Sequence, residues 1–168
     1  MEGGSLLHVG CGRDPLPEWL SQYSEVRMDI DPDVHPDIVG DMTDLGTAGP
    51  FDAVACFHAL EHLHREDVDV ALAEFKRVLR DGGIVYVVVP DIEDIKPTDE
   101  VIYESAAGPI TGIDVLFGYQ KVIKDKPYMA HKCGFTRDFL DAVFQKAGFS
   151  TSVVRRVSNY NLLAVGIK

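Results

Sequence analysis

Basic side chains are scarce in this sequence: 16 Lys and Arg stand against 27 Asp and Glu, a net charge of −11. Phosphate backbones are held by surplus Lys and Arg, so nucleic acid is not an expected partner. Cysteine is sparse too, and residues 11, 56 and 133 form no close pair. An odd, dispersed set of thiols argues against a disulfide framework and for a reducing, cytoplasmic setting. No apolar run approaches the ~18 residues of a membrane span, so no membrane contact is expected. The N-terminus shows neither the basic flank nor the apolar core of a secretion signal. Hydrophobic residues make up 46% of the chain, enough for a packed core without disulfide or metal staples. The expectation is one soluble domain over residues 1–168.

The charge that is present is unevenly spread. Residues 1–120 carry 7 Lys and Arg against 24 Asp and Glu, a net of −17, whereas residues 121–168 carry 9 against 3, a net of +6. Lys121, Lys124, Lys126 and Lys132 crowd one segment. A solvated loop and an anion-recognising lip over a pocket are both open readings.

Strand-like apolar runs recur at 5–9, 25–30, 37–41, 51–57 and 84–89. The last, Ile84 to Val89, has the β-branched and aromatic make-up of a strand covered on both faces. Val68, Ala71, Leu72, Phe75, Val78 and Leu79 form one helical face between the fourth and fifth strands, and Asp81-Gly82-Gly83 is the expected stop. A second helix is predicted over about 137–147, with Thr136 as N-cap and Gly148 as stop. Strands near 151–157 and 161–167 are close enough for a hairpin. Between the first two strands there is room only for a short helix, with Asp14 as cap and Pro15 at its first position. Residues 91–135, rich in Gly, Pro and aromatics, read as an insertion that forms a partly mobile lid. The pattern is α/β: a mostly parallel, doubly wound sheet with reduced crossover helices.

In such a sheet, ligands bind outside the C-terminal strand ends. Gly10-Cys11-Gly12 ends the first apolar run, Asp29 and Ile30 end the second, Asp41 and Met42 the third, and Phe57 and His58 the fourth. Glycines let backbone approach a ligand closely, and an acid about 20 residues beyond the turn is placed to accept ribose hydroxyls. These features point to an adenosine-bearing cofactor.

The sequence resembles a class I S-adenosylmethionine-dependent methyltransferase of the small type 11 branch, over almost its whole length. Gly10-Cys11-Gly12 resembles the loop that wraps the cofactor's methionine part. Met28 to Pro32 resembles the second-strand motif, with Asp29 as ribose acid, and Gly40-Asp41-Met42 resembles the adenine-holding segment. Phe51 to Val54 and His58 to Leu63 resemble the fourth-strand signature, and Leu79 to Gly83 and Ala147-Gly148-Phe149 fall at the usual places. The resemblance implies S-adenosyl-L-methionine as cofactor, a Rossmann-like seven-stranded sheet of order 3-2-1-4-5-7-6, and an antiparallel C-terminal strand. It departs at His8, where an acid is usual, and at Asp14, where a third glycine is usual; Asp14 is then a candidate for the cofactor's ammonium.

The function expected is methyl transfer to a small-molecule or sugar-type acceptor. His131 and His58 are candidate bases, because histidine titrates near neutral pH. Three alternatives stand beside it. A methyltransferase-like subunit could bind cofactor without turnover. A nicotinamide-dependent oxidoreductase would need a helix N-terminus at the pyrophosphate. A zinc hydrolase could use the string His58-x-x-Glu61-His62, provided that both histidines lie on one continuous helix; no metal site is expected. The lean crossovers leave one sheet face thinly covered, which suggests a homodimer.

Overall fold

The computed structural model describes residues 3–105 and 107–168. Strand β1 (Ser5–Val9) runs parallel to β2 (Ser24–Asp29). The third strand, β3, is only Ile38–Val39, beside β2. On the other flank of β1 lies β4 (Phe51–Phe57), also parallel. Helix α1 (Arg65–Val78) buries Val68, Ala71, Leu72, Phe75 and Val78, the face that the spacing marks.

Two local expectations fail here. Helix α1 ends at Val78, and Leu79 already opens strand β5 (Leu79–Pro90) with φ −76° and ψ 147°. Leu79 is buried and pairs with Phe51. Sheet pairing therefore captures the residues that had read as a helix stop, and Gly82, at φ +76°, lies inside an irregular stretch of β5. The helix expected from Asp14 and Pro15 is also absent: residues 14–17 are irregular, and only a 3-10 turn at Glu18–Leu20 follows. Asp14 and Leu16 each precede a proline, which drives a residue out of the helical region, and Pro17 itself is extended at ψ 147°.

The insertion is more structured than its composition suggests. Strands β6 (Val101–Ser105) and β7 (Gly108–Thr111) form a separate antiparallel pair. Helix α2 (Gly112–Phe117) follows behind a capping box of Thr111 and Asp114, and then α3 (Gln120–Ile123). A parallel bridge between Asp91 and Phe135 closes the base of the insertion. Helix α4 (Arg137–Lys146) starts where expected, with the Thr136 hydroxyl accepting from the Phe139 N–H at 3.3 Å. Strands β8 (Thr151–Val157) and β9 (Asn161–Ile167) form the terminal hairpin.

The main sheet has the order β3-β2-β1-β4-β5-β9-β8, with β9 antiparallel to both neighbours. This is the seven-stranded, mostly parallel, Rossmann-like arrangement expected, with its reduced crossovers. Its two faces are unequal. On one, α1 and α4 bury a core that includes Val54, Cys56, Val85, Val87, Phe75 and Phe144. On the other, a small cluster of Leu6, Leu20, Ala53 and Ala55 is bordered by Leu16, Tyr23, Phe57 and Tyr86. Among the described residues, no helix is long and apolar enough to cross a membrane.

Candidate functional site

The parallel strands deliver their C-terminal ends to one rim. After β1 the chain turns at Gly10, whose φ of +64° favours glycine, and a Cβ there would stand 2.3 Å from that of Ala59. Buried Cys11 ties the turn to β2 through its N–H to the Met28 carbonyl at 3.1 Å. Gly12 is also left-handed, at φ +50°, but a Cβ on it would meet no protein atom within 4 Å. Its N–H donates to Asp29 Oδ2 at 2.8 Å, while Asp29 Oδ1 accepts the Asp31 N–H at 2.9 Å. A carboxylate has about four lone-pair sites, so Asp29 is fixed in place and keeps acceptor capacity. The Gly40 N–H, bonded to the Asp29 carbonyl at 3.0 Å, brings Asp41 alongside. Asp41 is exposed and anchored at Oδ1 by the N–H and hydroxyl of Thr43. Ile30 is exposed beside Asp29, and Met42 packs at the core margin. An open glycine turn after β1, with Asp29 and Asp41 at the next two strand ends, fits an adenosine-bearing ligand.

A network behind the turn has no counterpart in the sequence analysis. Arg27 on β2 donates to the carbonyls of Gly12 at 2.8 Å and Asp14 at 3.1 Å, and pairs with Glu25 at 3.2 Å. Glu25 in turn holds His8 Nδ1 at 2.7 Å. Burial lowers the His8 pKa, and the hydrogen bond and charge of Glu25 only partly offset that. His8 thus braces the turn through Glu25 and Arg27 from beneath the sheet. The Asp14 carboxylate is exposed at the rim and caps no helix.

At the end of β4, Phe57 turns its ring toward His8 and Trp19, with centroids 5.8 and 6.2 Å away. His58 adopts φ +52°, rare for a non-glycine residue, and its N–H bonds the Val88 carbonyl at 2.8 Å. Its half-exposed imidazole has Nδ1 3.6 Å from Glu61 Oε1. Burial alone would lower the His58 pKa, but bonding and charge from Glu61 outweigh it and raise the value. Glu61 itself is 2% exposed. Leu60–His62 is a 3-10 turn, so His58 and His62 do not share a continuous helix. That removes the geometry of the peptidase alternative. The oxidoreductase alternative loses its helix N-terminus for the same reason that Asp14 caps nothing.

His131 reaches this rim from the insertion. Its Nδ1 bonds the Val115 carbonyl at 2.9 Å, its N–H bonds the Phe117 carbonyl at 3.1 Å, and its ring lies 5.2 Å from that of His62. Burial lowers its pKa, so a neutral ring is favoured. The insertion also closes over the β2 end: Lys126 Nζ and the Tyr128 hydroxyl both donate to Asp31 Oδ2, at 2.8 and 2.7 Å. Of the lysine cluster, Lys126 is therefore engaged by a carboxylate. Surface hollows of about 360 and 410 Å³ lie around Arg156 toward the β8 side of the sheet, the first lined by Asp91 at the end of β5, with which Arg156 forms an ion pair at 2.6 Å.

Comparison with known proteins agrees with this fold. A family model described as a methyltransferase domain matches residues 1–152. The chain belongs to that family. Its fold is that of the class I S-adenosylmethionine-dependent methyltransferases. No curated protein matches it. Among solved structures, PigF with S-adenosylhomocysteine is 16% identical with a TM-score of 0.63, over 98% of this chain and 50% of that one. CalS10 from Micromonospora echinaspora, an amino pentose methyltransferase solved with S-adenosylmethionine, is 19% identical with a TM-score of 0.66, over 99% and 84%. The 1,6-didemethyltoxoflavin N1-methyltransferase of Burkholderia thailandensis is 16% identical with a TM-score of 0.62, over 99% and 72%. The methyltransferase domain thus spans half to most of the length of these structural relatives.

Proposed function

We propose that the protein transfers a methyl group from S-adenosyl-L-methionine to a small-molecule or sugar-type acceptor. The observation that carries this reading is the Gly12–Asp29 hydrogen bond, which sets an open glycine turn against a ribose-type acid. Gly10, Cys11 and Gly12 would hold the amino-acid part of the cofactor, with Asp14 toward its ammonium. Asp29 would accept the ribose hydroxyls, and Asp41 with the Met42 N–H would hold adenine. Ile30 and the Phe57–His58 backbone would flank it. When bound, the cofactor supplies an electrophilic methyl on a sulfonium.

The protein's own contribution is mainly alignment and exclusion of water. The insertion, fastened by Lys126 and Tyr128 to Asp31, roofs the β2 end. His58, half-exposed on a strained residue, and His131, with Nδ1 committed to Val115, are the groups available to take a proton from an acceptor. CalS10 acts on an amino pentose, which favours the sugar-type class. The net charge of −11 argues against nucleic acid. Three free, buried cysteines fit a reducing cytoplasm.

A second copy of the chain would cover the thinly dressed face. Ala55, Tyr86, Val165 and Val153 form one row across β4, β5, β9 and β8 on that face, and Val153 is 55% exposed.

Calorimetry with S-adenosylhomocysteine, followed by a screen of sugars, phenols and amines for its release from S-adenosylmethionine, tests the reading. Binding with turnover on one class supports it. Binding without turnover on any favours the non-catalytic subunit, and absence of binding overturns both.

A further inference from the structure

Glu61 is the residue that methyl transfer leaves unexplained. Its side chain is 2% exposed and its Oε2 has no hydrogen-bond partner among the described residues. An unsatisfied charged oxygen at such depth costs several kcal/mol unless something pairs with it. Around it stand His62 and His131, and one donor atom from each of the three residues lies within 4.8 Å of the others. His58 is the remaining neighbour, 3.6 Å from the other carboxylate oxygen.

The two imidazoles are prepared as ligands. His62 Nδ1 meets the Ala130 carbonyl at 3.2 Å and His131 Nδ1 meets the Val115 carbonyl at 2.9 Å. A carbonyl only accepts, so each Nδ1 carries a proton, which leaves Nε2 as the ring atom that can present a lone pair to a ligand. Fixing a histidine's second nitrogen on a carbonyl is how metal-binding rings are oriented. The backbone holds the two chain segments in register: the N–H groups of Lys132 and Cys133 both bond the Glu61 carbonyl, at 2.9 and 3.1 Å. Glu61 and His62 come from the turn after β4 and His131 from the insertion, 69 residues later.

We propose that Glu61, His62 and His131 bind a first-row divalent cation, with open coordination positions toward the acceptor side of the rim. Two nitrogens and a carboxylate suit zinc, cobalt, manganese or iron better than magnesium or calcium. Donors about 2.1 Å from one ion stand about 3.4 Å apart in a tetrahedron, so side-chain rotations of about 1 Å close the site. The cation satisfies Glu61 Oε2 and locks the insertion to the β4 end. The geometry differs from that of the helical His-x-x-Glu-His string, because His131 takes the place of His58. An acceptor oxygen would fill an open position; that role rests on the methyltransferase reading, whereas cation binding does not.

Chelator-stripped protein titrated with Co²⁺ tests the site, read by visible absorption and by thermal melting. One Co²⁺ per chain and a rise in melting temperature are expected. Glu61→Gln and His131→Asn should each weaken uptake at least ~10-fold, while His35→Asn, at an exposed histidine remote in sequence, binds as wild type. Glu61→Gln keeps the side chain's shape and removes its buried charge, and circular dichroism verifies its folding; His62→Asn replaces any variant that does not fold. Absence of saturable uptake by wild type, or uptake insensitive to these substitutions, overturns the proposal. S-adenosylhomocysteine affinity measured on the same stripped samples separates this failure from failure of the methyltransferase reading.

Discussion

Gly12 and Asp29 are joined by a 2.8 Å hydrogen bond from the glycine N–H to the aspartate carboxylate. The residue with open space before it thus positions the acid beside it. Asp29→Ala removes a charged acceptor, typically about 1.5–3 kcal/mol, or roughly tenfold to over a hundredfold in affinity. Calorimetric titration with S-adenosylhomocysteine measures the loss. Equal affinities for wild type and variant would sink the ribose assignment.

The two glycines of the turn should respond differently to alanine. At Gly10 a Cβ meets Ala59 at 2.3 Å in a left-handed backbone, so strain and collision add, at a cost of about 2–4 kcal/mol. At Gly12 the backbone is also left-handed but no protein atom is near, so only about 1–2 kcal/mol is expected. Urea unfolding reads the stabilities. Gly12→Ala should nevertheless lose ligand affinity, since its methyl would enter the space left for the ligand. A Gly12→Ala protein that binds as wild type would show that the turn does not cradle the cofactor.

Much of this rim was legible in the sequence because strand ends and glycine turns leave local signals. The Gly10–Gly12 turn, the acids after β2 and β3, α1, α4 and the C-terminal hairpin all announce themselves within a few residues. The His8–Glu25–Arg27 brace does not, because pairing across neighbouring strands has no periodicity. Nor does the Asp31 clamp, whose partners lie 95 and 97 residues away. Proline misled at residues 14–17: Pro15 suits a first helical turn, but Pro17 two residues later pulls Leu16 out of it. The insertion's hairpin was hidden by Gly and Pro, which mark its turn and edges as readily as a lid.

The Asp31 clamp should control access to the β2 end. Donation from Lys126 and Tyr128 and from the Asp33 N–H holds the Asp31 carboxyl well below the usual carboxylate range. A depressed carboxylate keeps its contribution above the unfolded value, ~3.9, and loses it as pH falls through the lower folded value. The clamp is therefore intact at every pH near neutral. Asp31→Asn at neutral pH should speed hydrogen–deuterium exchange over residues 124–132 and leave β4 and β5 unchanged. Identical exchange in the variant would show that other contacts hold the insertion down.

The apolar row on the thin sheet face, exposed at its Val153 end, predicts association. Trp19, 50% exposed, packs edge-on against Tyr86 at 5.2 Å, extending the apolar strip that Val153 and Val165 continue. Light scattering at micromolar concentration should give twice the mass of 18.5 kDa, and Val153→Lys should return the monomer. A wild-type monomer would rule the dimer out.

His8 should set a pH dependence of stability that is separable from that of the other histidines. Burial at 3% exposure is the largest influence on its imidazole and lowers its pKa, against the smaller raising effect of Glu25 at 2.7 Å. The unfolded chain titrates near ~6.5, so between that value and the lower folded one the unfolded state binds more protons. Stability therefore rises with pH through this window: it is full above about 6.5, falls as pH drops, and levels off once the folded state is protonated too. His58 acts with the opposite sign, because its folded value is raised. Comparing wild type with His8→Gln cancels that contribution, and urea unfolding at several pH values between 5 and 8 measures the slope. Wild type should lose more stability on acidification than the variant does, even if the variant starts lower. Parallel pH profiles would mean that His8 titrates alike in the folded and unfolded chains, and a slope of the opposite sign would mean that the brace behind the glycine turn is an ion pair with Glu25 rather than a neutral hydrogen bond.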